Sequence, residues 1–96
     1  MTEHGLQPAE REKILAVAAR YGAFNIRVFG SVARGEARAE SDVDLLVDLE
    51  PGRSLVDLCG LINDLKEELG RKVDVVTDKS IYWLLRRRIL NEAKPL

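Results

Sequence analysis

Val28-Phe-Gly-Ser-Val-Ala-Arg-Gly-Glu-Ala-Arg-Ala-Glu-Ser-Asp-Val-Asp-Leu-Leu-Val47 is the stretch on which the reading of this chain turns. An apolar run, Ile26 to Phe29, ends at Gly30-Ser31, and a second β-prone run opens at Asp42-Val-Asp44. Side chains alternate across a strand, so Asp42 and Asp44 share one face while Val43, Leu45 and Val47 point the other way, into apolar packing. Two carboxylates on one face repel unless a cation lies between them. Mg²⁺ prefers oxygen ligands and keeps positions open for substrate phosphates and water, so the pair predicts a divalent metal. Gly30 has no side chain to hold a phosphate off, and Ser31 to Arg34 reads as a short helix-compatible segment whose free N–H groups receive one. The Arg34 guanidinium is close enough in sequence to contact the same triphosphate, although an exposed loop arginine reads nearly as well. Asp-x-Asp alone equally suits a solvated loop-to-strand junction; joined to Gly-Ser upstream and a buried strand downstream, it points to a metal-nucleotide site.

A third acid stands where a strand needs no charge. Lys72-Val-Asp-Val-Val-Thr77 is rich in β-branched residues and reads as a buried strand, yet Asp74 interrupts it. If this strand lies beside the one carrying Asp42 and Asp44, three carboxylates converge, enough for the two-metal arrangement of nucleotidyl transfer. The plainer reading is an acid accepting a hydrogen bond near a strand end.

Around these runs the elements alternate. Pro8 to Tyr21 has Ile14, Leu15, Val17, Ala18 and Tyr21 at helical spacing, with Gly22 as the stop. A strand near Asn25 to Phe29 follows, then one from Asp42 to about Asp48, broken by Pro51-Gly52. Ser54 and Asp57 form a capping box that opens a helix with Leu55, Leu58, Ile62, Leu65 and Leu69 on one face, ended by Gly70. After the strand bearing Asp74, Ser80 caps a last helix with Ile81, Leu84, Leu85 and Ile89 inward and Arg86, Arg87 and Arg88 outward. The result is an α/β domain, helices packed on a small sheet. Antiparallel pairing of the first two strands brings Gly30 and Asp42 to one sheet end, and the helical crossover allows the third to run parallel.

Gly30, Ser31, Asp42, Asp44 and Asp74 resemble the signature of the DNA-polymerase-β-like nucleotidyltransferase superfamily. Gly-Ser-Val-Ala-Arg-Gly-Glu with Ser-Asp-Val-Asp-Leu-Leu-Val resembles its minimal nucleotidyltransferase branch, and the likeness runs from the first helix to Ile89-Leu-Asn-Glu-Ala93. The resemblance implies a mixed sheet with flanking helices and a single nucleotidyltransferase domain over residues 1–96. It implies transfer of AMP from ATP to a hydroxyl, with Asp42 and Asp44 as ligands of Mg²⁺, two ions in all. Asp74 is then the third carboxylate that joins in metal binding and activates the acceptor, and Gly30 and Ser31 lie on the phosphates. In that branch the domain stands alone as an antitoxin beside a small helical HEPN ribonuclease toxin, so the implied partner is such a toxin, held as a hetero-oligomer and modified on a tyrosine in a type VII toxin-antitoxin pair. Val32 departs from the pattern, since relatives often carry a larger polar or aromatic residue there; the departure bears on nucleotide or acceptor preference.

Composition sets the bounds. Ninety-six residues make one domain, too short for a second that encloses a small acceptor, which favours a macromolecular one. A net charge of -1 lacks the basic excess of a protein that holds nucleic acid by its phosphates. Cys59, the one cysteine, excludes an intrachain disulfide and reads as a small core residue among Leu58, Leu61 and Ile62. No signal-peptide pattern or membrane-length apolar run occurs, which points to the cytoplasm and away from a membrane. No P-loop pattern is present, and His4 with Cys59 cannot make an ordinary zinc site. The arginine run reads as a solvated helix face or a partner surface, and Tyr82 and Trp83 as core or partner contacts. Two other functions fit the same residues: a non-catalytic antitoxin that neutralises its toxin by binding, and a nucleotidyltransferase whose acceptor is an RNA 3' end.

Overall fold

The computed structural model describes residues 6–33, 42–77 and 83–96, and for residues 31, 32 and 83–86 the backbone alone. The elements run α1 (Pro8–Arg20), β1 (Ala23–Phe29), α2 (Gly30–Ala33), β2 (Val43–Leu49), α3 (Leu55–Leu69), β3 (Val73–Thr77), α4 (Trp83–Glu92) and β4 (Lys94–Pro95). The four strands form one sheet in the order β3-β2-β1-β4. β1 pairs antiparallel with β2 and with β4, while β2 and β3 run parallel, as a helical crossover through α3 requires. This is the small mixed α/β sheet expected from the sequence.

Local chemistry sets the helix ends. Pro8 begins α1, where a missing N–H leaves no intrahelical bond unmade. The Gln7 N–H donates to the Glu10 carboxylate at 3.2 Å, and Glu10 also pairs at 2.9 Å with Arg71, which ties the start of α1 to the turn before β3. At α3 the expected capping box is present: Val56 N–H donates to Ser54 Oγ at 3.2 Å and Ser54 N–H donates to Asp57 at 3.0 Å. That backbone hydrogen bond, helped by Arg53, holds the Asp57 carboxyl below its ordinary value. Gly70 closes α3 with φ of 63°, a left-handed conformation that suits glycine.

The core lies between one sheet face and helices α1 and α3. Val28, Val43, Leu45, Val47, Val73 and Val75 line the sheet side, facing Ile14, Val17 and Ala18 of α1 and Leu58, Leu61 and Leu65 of α3. α1 and α3 also pack on each other, where the Tyr21 ring lies over Gly60: a Cβ on that glycine would stand 2.6 Å from Tyr21 Cε1. The Tyr21 hydroxyl donates to Asp64, and this bond raises the pKa of the phenol above its ordinary value.

Three residues expected in the core stand at its margin. Cys59 is exposed, because the buried stripe of α3 is Leu58, Leu61 and Leu65 and the next residue round the helix turns away from it. Leu55, at the first position of α3, is 73% exposed, and Leu15, on the flank of the Ile14 stripe, is 37% exposed. Two features were not foreseen. β1 carries an irregularity between Phe24 and Arg27 with Asn25 at φ of 51°, and β4 adds a two-residue strand to the β1 edge. Ser80, Ile81 and Tyr82 lie outside the described residues; Arg87 and Arg88 are exposed, as expected of the basic run. Among the described residues, no helix is long and apolar enough to cross a membrane.

Candidate active site

Antiparallel β1–β2 and parallel β2–β3 pairing bring three chain segments to one sheet end: the exit of β1, the entry of β2 and the entry of β3. Phe29 pairs with Asp44, and Asp44 pairs with Asp74, so one row of residues crosses three strands. Residues in one row point to the same sheet face, and adjacent strands lie about 4.8 Å apart, so the carboxylates of Asp44 and Asp74 start as neighbours. Asp44 is half-buried and Asp74 exposed. Val43 and Leu45, on either side of Asp44, are fully buried on the opposite face, which fixes the direction in which the aspartate points.

Gly30 follows Phe29 with φ of +72° and opens the four-residue α2. A Cβ there would sit 2.5 Å from Asp44 Oδ2. The close approach that this glycine permits is therefore to a carboxylate of the site itself, and the turn conformation separately excludes most other residues. Sequence reading assigned Gly30 to a phosphate and did not foresee the contact with Asp44.

The remaining expected residues are placed less closely. Asp42 is exposed and precedes β2, outside the ladder that positions Asp44. Among the described residues no three acidic, histidine or cysteine side chains are grouped tightly enough to hold an ion. The row thus brings two of the three carboxylates together, while the third lies one step beyond the strand. Ser31 is described by its backbone in α2, and Arg34 lies outside the described residues.

A further acid on the same face of β2 went unnoticed in the sequence, though its alternation with Asp42 and Asp44 was there to see. Asp48 accepts from Arg27 at 3.1 Å and from Asn25 at 2.9 Å. A cavity of about 520 Å³ opens at that far end of β2 and β3, lined by Asp48, Pro51, Arg53 and Thr77 among others, away from the carboxylate row.

Comparison with known proteins agrees with this architecture. The chain belongs to the nucleotidyltransferase domain family, whose profile matches residues 11–96, and it is a nucleotidyltransferase. A candidate protein adenylyltransferase of Methanocaldococcus jannaschii is 46% identical over 83 residues, covering 86% of this chain and 89% of the relative. The protein adenylyltransferase MntA of Thermococcus cleftensis is 42% identical over 73 residues, covering 76% and 74%. A solved structure described as a candidate minimal nucleotidyltransferase superposes with a TM-score of 0.79 at 51% identity, covering 92% of this chain and 90% of that one. The fold recurs in a toxin-antitoxin crystal structure with AMP-PNP, at a TM-score of 0.74 and 23% identity, covering 88% and 69%.

Proposed function

We propose that this nucleotidyltransferase moves AMP from ATP onto a hydroxyl of a protein partner, a tyrosine of a HEPN ribonuclease toxin, and so acts as its antitoxin. The observation that carries the reading is the row that sets Asp44 beside Asp74 at the sheet end where Gly30 turns the chain. Relatives named protein adenylyltransferase support the acceptor class, and the toxin-antitoxin neighbour supports the kind of partner.

The donor set suits a hard divalent cation. Asp44 and Asp74 offer carboxylate oxygens in register, with Asp42 close by in sequence, and Mg²⁺ is commonly held by one or two carboxylates plus substrate phosphates. Asp42, Asp44 and Asp74 would hold it, as two ions. Bound there, Mg²⁺ supplies charge neutralisation on the phosphates and a lowered pKa for the acceptor hydroxyl.

The chain's own residues position the rest. Gly30 and the Ser31 backbone hold the triphosphate, and Arg34 adds a cation to it. Asp74, the more exposed acid of the pair, orients the acceptor hydroxyl and takes its proton at a carboxylate oxygen. The hydroxyl oxygen bonds to the α-phosphorus, the bond from that phosphorus to the oxygen bridging to the β-phosphate breaks, and pyrophosphate leaves with the electron pair. A phosphodiester on the toxin then places negative charge and bulk where it must receive RNA phosphates.

Intact mass of a HEPN toxin after co-expression with this protein tests the proposal. One or more AMP additions with the wild-type protein and none with Asp44→Asn are expected. Equal neutralisation by both proteins without a mass change overturns it in favour of binding alone; labelled AMP on RNA overturns it in favour of an RNA acceptor.

A further inference from the structure

The two sides of the Asp44–Asp74 row differ. α2, which follows the Gly30 turn assigned above to the phosphates, packs on β1 and β2. On the β3 side, Asp74 and Lys72 are both exposed. Exposure alternates along this segment, Val73 and Val75 being 1% and 6% exposed, so Lys72 shares with Asp74 the face opposite the core. Two residues apart on an extended chain, they stand about 6.6 Å from each other. The root of the lysine is fixed. Its carbonyl accepts from the Val43 N–H at 2.9 Å, the next residue is buried, and the one before it, Arg71, is held by Glu10 at 2.9 Å. Its head is free: among the described residues the Lys72 ammonium has no ion-pair or hydrogen-bond partner, although continuing the β2–β3 register by one row sets Lys72 beside Asp42.

We propose that Lys72 selects the acceptor: its ammonium binds a carboxylate close to the hydroxyl that Asp74 receives, so the preferred substrate is a tyrosine flanked by acidic residues. This rests on the AMP-transfer reading above. Position favours the acceptor over the nucleotide. Phosphates at Gly30 lie at the end of β1, two strands from β3 and so about 9.6 Å away across the sheet, whereas a hydroxyl over Asp74 lies beside Lys72 on its own strand. On a flexible four-carbon stem the ammonium sweeps the space next to that hydroxyl and carries three donors for a carboxylate there. The neighbouring cation cannot do the same. The Arg71 side chain is 8% exposed and committed to Glu10. An acceptor with basic residues around its tyrosine meets an unpaired like charge at Lys72 and is disfavoured, which gives the site a means of rejecting partners as well as choosing them.

Two measurements on the full chain test this. The first is calorimetric affinity for short peptides in which phenylalanine replaces the tyrosine, so that no transfer occurs, with glutamate or lysine two residues to either side. Wild-type protein is expected to bind the glutamate peptide about fivefold more tightly, Lys72→Arg to keep that preference and Lys72→Glu to reverse it. Equal affinities in the wild type, no binding of either peptide, or a preference unchanged in Lys72→Glu overturns the proposal. Titration with Mg-ATP separates the acceptor from the phosphates: Lys72→Met is expected to keep its affinity within about twofold, and a loss of about tenfold or more, as for a severed charge-assisted phosphate contact, overturns the acceptor role. The second measurement is label transfer from ATP with Mg²⁺ to the tyrosine forms of the same peptides, where the charge preference is expected in KM rather than kcat. A reversible charge preference in binding without label on any peptide keeps Lys72 as the selector and sinks AMP transfer; label without a charge preference does the reverse.

Discussion

Asp44 and Asp48 stand on the same face of β2, toward opposite ends of the strand, and meet different neighbours. Asp48, in register with Phe24, is reached from β1 by Arg27, at 3.1 Å, and Asn25, at 2.9 Å, so its charge has a cation and an amide to answer it. Beside Asp44, in register, stands another acid, Asp74, and its carboxylate leans over the bare Cα of Gly30. On the proposed function, an aspartate on this strand serves structure where a cation reaches it diagonally from the next strand, and chemistry where the register sets a second carboxylate beside it. The sequence pattern of alternating aspartates cannot distinguish the two. The register can.

The largest expected effect separates them directly. Asp44→Asn should lower AMP transfer by about a thousandfold, in keeping with loss of one preorganised electrostatic group, and leave the circular dichroism spectrum unchanged. Asp48→Asn should leave transfer within a few-fold of wild type. Similar activity losses in both variants, measured by label incorporation, would break the comparison.

Gly30→Ala comes next. Its φ of +72° and the approach of Asp44 Oδ2 both oppose a side chain, so we expect a stability loss of about 1–3 kcal/mol together with reduced transfer. Thermal unfolding and activity assayed well below the midpoint separate the two effects. A variant with wild-type midpoint would show that neither the turn nor the carboxylate contact constrains this position.

A smaller effect belongs to the structural acid. The Arg27–Asp48 pair is 19% and 36% exposed, so Arg27→Met should cost about 0.5–1 kcal/mol, read as a lower denaturant midpoint with unchanged slope. Transfer activity should persist. The smallest effect is in pH dependence and concerns Asp57, an acid with a structural task on a helix. Its folded pKa is depressed, so its contribution is present above the ordinary carboxylate value of 3.8 and is lost as pH falls through the lower folded value. Asp57→Asn should flatten the acid limb of the stability profile. Tyr21 has the opposite sign: its raised pKa gives a contribution present below 10.0 and lost as pH rises through the folded value, so Tyr21→Phe should flatten the alkaline limb.

Much of this fold could be read from residues whose chemistry is local. Ser54 and Asp57 announced the start of α3, Gly70 its end, and the alternation of Val43, Leu45 and Val47 against Asp42 and Asp44 gave β2 and its buried face. What escaped depends on partners distant in sequence. Leu55 and Cys59 looked apolar enough for the core, but the phase at which α3 lies on the sheet is set by Leu58, Leu61 and Leu65 together. β4 is too short to signal itself and exists because β1 offers an edge. Asp44, Asp74 and Gly30 could be singled out as candidates from the sequence; the row shared by Asp44 and Asp74 and the contact between Gly30 and Asp44 could not be seen there, because both follow from strand register.

The closing segment has a meaning for the order of folding. The Leu96 N–H donates to the Ile26 carbonyl at 3.0 Å, and Arg11 Nε reaches the Leu96 carbonyl at 2.7 Å across a sequence separation of 85. Among the pairings of the sheet, β1 with β4 closes the longest loop, and loop-closure entropy grows with loop length, so this pairing gains least until the rest is assembled. The row across β1, β2 and β3 that carries Asp44 and Asp74 can therefore form first, with β4 arriving as a late clasp. Weakening that clasp, as Arg11→Ala would, should speed unfolding and leave the folding rate nearly unchanged.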